Sequence, residues 1–141
     1  IGCNKIALGH HFDDAIETIL MGMLFSGKIG TMMPKLKSTS HPGMQLIRPL
    51  YLVREDDIIS WMNYNNLEFI KCACKITEMQ ANLKENDKTS KRAETKEIIK
   101  MLKNKYKNSD INIFNSIQNV NLDTILSYKK DGKMINFLDN F

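Results

Sequence analysis

The stretch Leu8-Gly9-His10-His11-Phe12-Asp13-Asp14-Ala15-Ile16-Glu17-Thr18 decides how this chain reads, because two histidines and three carboxylates fall in the bend between an apolar run and an amphipathic one. Lys5 to Leu8 is short and apolar enough for a buried strand, and Gly9 lets the backbone turn at its end. Beyond the bend, Ala15, Ile16, Ile19, Leu20, Met23 and Leu24 recur at helical spacing and define one apolar face. The bend is therefore the carboxyl end of a strand meeting a helix N-terminus, the place where open α/β sheets bind ligands. Free backbone N–H groups there can hold phosphate, and carboxylates beside them can hold a magnesium ion bridging phosphate oxygens. Asp13 and Asp14 suit the metal, and His10 or His11 can donate to a phosphate or a leaving group. A purely structural reading stands beside this one: Asp14 with Glu17 three residues on is a capping-box variant, and Asp at a helix start is stabilising without a ligand.

Working outward, 141 residues at 43% hydrophobic composition suffice for one cored domain or part of one. The sequence opens on Ile1 and goes straight into a strand feeding a helix, which predicts that an N-terminal part is missing. No charged leader with an apolar core is visible, and the apolar runs fall short of the roughly 18 residues of a membrane helix, so a soluble, cytoplasmic protein is expected. The net charge of +4 is unevenly placed: Lys84 to Lys107 carries nine basic residues against four acidic ones, a stretch able to meet a polyanion. Three cysteines, two of them at Cys72 and Cys74, do not make a secreted disulfide framework; reduced thiols or metal ligands fit better.

Along the chain, Ser26-Gly27-Lys28-Ile29-Gly30 ends the first helix, and Pro34, Ser38, Thr39, Ser40, Pro42 and Gly43 predict a long surface connection. Gln45 to Ile47 reads as a strand that Pro49 places at an edge or an end. Glu55, Asp56 and Asp57 open a helix with Ile58, Trp61 and Met62 on one face and Asn65-Asn66 as its stop. After Glu68-Phe69-Ile70, the cysteine turn and a polar connection, Thr89 or Ser90 caps a helix towards Lys107 that buries Ile98, Met101 and Leu102. Asp110 caps a further helix with Ile113, Phe114 and Ile117, and Asn121 another through Ile125. From Tyr128 onward the sequence gives no firm element. The expected divisions are an α/β part over residues 1–70, a cysteine turn with a basic helical region over 71–127, and a tail over 128–141.

Cys72 and Cys74 can supply two thiolates to zinc or an iron-sulfur cluster, or can be two partly buried thiols; a complete site needs more ligands than this pair. On the basic helix, Lys91, Arg92, Lys96, Lys100 and Lys103 are candidates for RNA contact, with a merely solvated face as the alternative. Arg92, Lys96 and Lys100 stand four residues apart and repel one another, and an anionic partner would compensate that repulsion.

These residues also resemble a known family. Gly2-Cys3-Asn4-Lys5-Ile6-Ala7-Leu8-Gly9-His10-His11-Phe12-Asp13-Asp14, followed by Glu17-Thr18, is similar to the second nucleotide-site motif of PP-loop ATP pyrophosphatases, with tRNA 2-thiocytidine synthetases as the best match. The likeness continues through Gly27-Lys28, Met33-Pro34-Lys35-Leu36, Ile47-Arg48-Pro49-Leu50, Arg54-Glu55 and Asp57-Ile58, the cysteine turn and Ile117-Gln118-Asn119-Val120, about residues 1 to 126. The resemblance implies the C-terminal part of an adenine nucleotide alpha hydrolase-like domain, Rossmann-like with a parallel sheet, followed by a helical C-terminal region. It implies ATP- and Mg²⁺-dependent thiolation of tRNA, in which a cytidine C2 oxygen in the anticodon loop is adenylated and then displaced by sulfur. Gly9, His10 and His11 would line the ATP site, with Asp13 and Asp14 as catalytic carboxylates. Cys72 or Cys74 would serve a 4Fe-4S cluster, and the basic helix would help carry tRNA. A sulfur donor such as a cysteine desulfurase and a homodimer are further implied partners, and no membrane is.

The departures are as definite as the matches. The family's Ser-Gly-Gly-Lys-Asp-Ser loop and its N-terminal Cys-x-x-Cys are absent, and Cys72-Ala73-Cys74 replaces the more usual Cys-x-x-Cys. Two rivals follow. One is a tRNA lysidine synthetase-like ligase, against which the cysteine pair argues; the other is a non-catalytic RNA-binding remnant.

Overall fold

A computed structural model of the chain describes residues 2–68 and 91–140. β1 (Lys5–Ala7) leads into α1 (Phe12–Ser26); β2 (Lys35–Lys37), β3 (Gln45–Ile47) and α2 (Glu55–Tyr64) follow. After the interval come α3 (Lys91–Lys105), α4 (Ser109–Ser116), a 3-10 turn at Leu122–Thr124, a hairpin of β4 (Ser127–Lys130) and β5 (Lys133–Asn136), and a last 3-10 turn at Phe137–Asn140. The expected cap at Thr89 or Ser90 and the cysteine turn lie outside the described residues.

The two strand-helix units form where the sequence places them, but the sheet is mixed rather than parallel. Its order is β1-β3-β2, with β1 parallel to β3 and β2 antiparallel to it. β2 sits inside the stretch expected to be a surface connection; Lys35-Leu36-Lys37 is too short to show alternation convincingly, and its pairing with β3 makes it a strand. The expected burial of the first strand is corrected too, since Ile6 is 39% exposed. The reason is that the helices pack chiefly on one another and not flat on the sheet.

The core is helical. Phe12, Ala15, Ile16, Ile19 and Leu20 of α1 meet Ile99 of α3, Phe114 of α4 and Tyr51, with Met32, Ile98, Ile113 and Ile117 at its margin. Phe114 anchors it, its ring 4.8 Å from Phe12 and 5.8 Å from Tyr51. α1 buries only its first half; Met23 and Leu24, predicted for the same face, are exposed. α2 buries no residue fully, and Trp61, predicted to share one face with Ile58 and Met62, is exposed. In α3 the fully buried pair is Thr95 and Ile99, with Ile98 at the core margin and Met101 exposed. The predicted helix from Asn121 is a single 3-10 turn, with the Asn121 side chain accepting from the Asp123 N–H. The unassigned tail forms the β4-β5 hairpin.

α1 stops at Gly27, whose left-handed φ of 59° ends the helix while the Lys28 N–H donates to the Gly22 carbonyl at 3.0 Å. That turn wraps closely over Gly22, where a Cβ would lie 2.8 Å from the Lys28 oxygen. Gly22→Ala is therefore expected to lower stability by about 1–3 kcal/mol despite alanine's helix propensity. Chemical denaturation measures this, and a stabilised variant would refute the close approach.

Candidate functional site

The N-termini of α1 and α2 are stitched to each other. After β3 the chain turns twice, through Tyr51 N–H to the Arg48 carbonyl and Val53 N–H to the Leu50 carbonyl. The Val53 carbonyl then accepts from Phe12 N–H at 3.0 Å in the first turn of α1. In return the Asp13 carboxylate accepts from Glu55 N–H at 2.8 Å, in the first turn of α2. Two helix N-termini, each with unsatisfied donors and a partial positive charge, thus converge on the bend singled out in the sequence.

His11 is the N-cap of α1, and Asp14 three residues on accepts from its backbone N–H at 3.0 Å. The capping pair is therefore His11 with Asp14, not Asp14 with Glu17. His11 Nε2 lies 3.3 Å from Asp14, and the Nδ1 atoms of His10 and His11 are buried without a hydrogen-bond partner. Beside them Gly9 has open space where a Cβ would project.

Glu17 is 2% exposed within the apolar face of α1 and needs a cation. Arg92 of α3 supplies it, Nε donating to Glu17 at 2.6 Å and Nη2 to Asp14 at 2.8 Å. Lys96 lies 3.5 Å from both Glu17 and Glu55. The hydrogen bond to Glu17, opposed by burial and aided by the charges of Glu17, Asp14 and Glu55, raises the Arg92 pKa above its ordinary value. Burial works to lower that of Lys96, but Glu17 and Glu55 outweigh it and raise the value. The compensating anions for these two like charges are thus the protein's own carboxylates.

A second ion pair closes the far side. Arg54 stacks on the Phe12 ring at 4.4 Å, donates to Asp110 at 2.5 Å and lies 3.8 Å from Asp13. Asp110, predicted as a helix cap, instead follows the N-cap Asn108, is buried, and also has Lys103 at 3.5 Å. Burial pushes its pKa up, but the Arg54 and Ile111 N–H hydrogen bonds, with the charges of Arg54 and Lys103, hold it below the usual carboxylate value near 3.8. A carboxylate whose folded pKa is depressed stabilises the fold fully above its unfolded pKa and loses that contribution as pH falls through the folded one. Acid titration from about pH 4 downward should therefore cost the native protein stability that Asp110→Asn does not lose over the same range. Parallel slopes would refute the ion pair.

Between α1, α2 and α3 lies a cleft of about 420 Å³, lined by Asp13, Glu17, Glu55 and Asp56 on one wall and Lys96, Lys100 and Lys103 on the other. Lys91 stands over the Phe25 ring at 5.1 Å. The structure thus brings together Gly9, His10, His11, Asp13, Asp14, Arg92 and Lys96, while Cys72 and Cys74 lie outside the described residues. Sequence reasoning missed Glu17 and Arg54 as site-building residues. A carboxylate inside the Ala15-Ile16-Ile19-Leu20 stripe was the available signal for the first. Among the described residues no group of three or more His, Cys, Asp or Glu is placed to hold a metal, and no helix is long and apolar enough to cross a membrane.

A strand-helix bend of this build, with a second helix N-terminus docked on it, is the kind of place where open α/β sheets bind ligands. The PP-loop domain family matches residues 1–79, and the chain belongs to that family. Within it, the chain is similar to tRNA-cytidine(32) 2-sulfurtransferases: 34% identical to that of Verminephrobacter eiseniae over 97% of this chain and 39% of the relative. It is 39% identical to that of Shewanella denitrificans over 84% of this chain and 34% of the relative. The chain spans roughly a third to two fifths of the length of these curated relatives. Among solved structures, "U34-tRNA thiolase NcsA from Methanococcus maripaludis with its [4Fe-4S] cluster" is similar in fold, with a TM-score of 0.56 at 22% identity, covering 87% of this chain and 40% of that one.

Proposed function

We propose that the chain is the C-terminal part of an ATP-dependent tRNA sulfurtransferase acting on a cytidine C2 carbonyl of the anticodon loop. The observation that carries this reading is the likeness of 97% of the chain to a tRNA-cytidine(32) 2-sulfurtransferase. The His-His-x-Asp-Asp bend at a double helix N-terminus supports it. ATP, with magnesium at its phosphates, supplies the adenylyl group that turns the C2 oxygen into a leaving group. Pyrophosphate leaves in the first step; the terminal sulfur of a donor persulfide then displaces AMP to give a C2–S–S–R disulfide, and a thiol cleaves that S–S bond, itself becoming part of a disulfide, to leave the 2-thiocarbonyl.

The residues at the bend fit a nucleotide. The unpartnered Nδ1 atoms of His10 and His11 offer hydrogen bonds, Gly9 leaves room, and the N-terminal N–H groups of α1 favour an anion. Asp13 is the better magnesium ligand of the two aspartates, because Oδ2 is committed to Glu55 N–H while Oδ1 has, among the described residues, only Arg54, 3.8 Å away. One carboxylate plus phosphate oxygens is an ordinary magnesium environment. Asp14 has both oxygens committed, to His11 N–H and Arg92, and serves to hold the bend in shape. Cys72 or Cys74 would contribute to an iron-sulfur cluster with cysteines from the rest of the enzyme. Lys91 and Lys100 of α3 would add to tRNA affinity, whereas Arg92, Lys96 and Lys103 divide their charge between carboxylates and solvent.

Purified full-length protein with unmodified tRNA and ATP should release AMP and pyrophosphate only when tRNA and a sulfur source are both supplied. Turnover that needs free lysine instead would establish the ligase reading, and no tRNA-dependent turnover would leave a non-catalytic RNA-binding protein.

A further inference from the structure

Arg54 stands between two carboxylates that compete for one nitrogen. Its Nη1 donates to Asp110 Oδ2 at 2.5 Å, and the same atom lies 3.8 Å from Asp13 Oδ1. The guanidinium is tied down close to Asp13 from two sides. It lies over the Phe12 ring at 4.4 Å, and its backbone is the N-cap of α2, whose Glu55 N–H donates to Asp13 Oδ2. A charged hydrogen bond forms at about 2.7–2.9 Å, so a shift of roughly 1 Å would seat Nη1 on Asp13 Oδ1. An arginine seated there would neutralise the carboxylate, and a metal ion would have to displace it.

Asp110 is placed to prevent that shift. It is 4% exposed, so its charge requires a cationic partner. Its Oδ1 accepts from the Ile111 N–H at 2.8 Å, which fixes the carboxylate plane and turns Oδ2 to Arg54. Lys103 lies 3.5 Å from Oδ2 on the other side.

We infer that Asp110 is a positioning residue for the nucleotide site: it holds the Arg54 guanidinium off Asp13 and so keeps Oδ1 open to a divalent cation. This rests on Asp13 being the magnesium ligand proposed above. Asp110→Asn tests it, because one amide oxygen cannot accept from both the Ile111 N–H and Arg54. In the full-length protein, Mn²⁺ binding with α,β-methylene-ATP, followed by electron paramagnetic resonance, should weaken about tenfold in Asp110→Asn, the scale on which an adjacent arginine shifts a carboxylate. The Mg²⁺ concentration for half-maximal thiolation should rise in step, while the rate at saturating Mg²⁺ stays within about twofold of wild type.

Adding Arg54→Gln to Asp110→Asn should restore Mn²⁺ affinity, whereas adding Lys103→Gln should not. The restored pair is two neutral amides with no stranded charge, and it carries the test should Asp110→Asn alone fail to fold. Arg54→Gln alone should bind Mn²⁺ and the nucleotide at least as tightly as wild type. Unchanged Mn²⁺ binding in Asp110→Asn, or weak binding by the double variant, overturns this inference alone. Weaker nucleotide binding in Arg54→Gln would make Arg54 a phosphate ligand and overturn it as well. Wild-type protein that binds no Mn²⁺ with the nucleotide overturns it together with the proposed function.

Discussion

Arg92→Ala is expected to destabilise the protein by about 2–3 kcal/mol, a large effect for a residue that is half exposed. The reason lies at the other end of the contact. Glu17 is 2% exposed, and without Arg92 it keeps, among the described residues, only Lys96 at 3.5 Å as a cation, while Asp14 loses its 2.8 Å partner. Stripping one member from a buried ion pair costs roughly 3–5 kcal/mol, because the remaining charge is stranded in a medium that solvates it poorly. Solvent access to Arg92, whose side chain is 48% exposed, screens part of that and brings the figure down. Urea denaturation of wild type, Arg92→Ala, Glu17→Gln and the double variant measures it, and the double variant should lose less than the sum of the singles. A loss under about 0.5 kcal/mol for Arg92→Ala would mean that the contact contributes nothing net.

Asp13→Asn should cut tRNA thiolation by the full-length enzyme at least about a hundredfold while leaving the fold intact. The amide oxygen still accepts from Glu55 N–H, so α2 keeps its tether. Only the charge is gone, and with it the electrostatic hold on a divalent cation, for which a factor of 100 corresponds to about 2.7 kcal/mol of barrier. Asp13→Ala removes the acceptor as well and should show an added loss of about 1 kcal/mol in stability, typical of a lost helix cap. The two substitutions separate the carboxylate's roles. Full activity in Asp13→Asn would reduce Asp13 to a helix tether.

Local pattern made part of this legible. The strand-turn-helix bend, the span of α1, the Gln45–Ile47 strand, the acidic start of α2 and the helix carrying Phe114 all follow from periodicity and turn residues within a few positions. What local pattern could not supply was partnership. Lys35-Leu36-Lys37 becomes a strand only because β3 offers it hydrogen bonds. The C-terminal hairpin forms around Asp131 and Gly132, both at positive φ, from residues too polar to announce strands. Arg92 and Lys96 read as an outward-facing basic stripe because helical spacing says which residues share a face and not what that face meets. At the site, His10, His11, Asp13 and Asp14 were visible as chemistry, but the division of labour between the aspartates came from hydrogen bonds across 42 and 78 residues of sequence.

The central claim is that this chain belongs to an enzyme that thiolates tRNA, and nucleoside mass spectrometry tests it most directly. Total tRNA from a strain lacking the gene should contain no 2-thiocytidine, wild-type complementation should restore it, and complementation with Asp13→Asn should not. Undiminished 2-thiocytidine in the deletion strain would contradict the account.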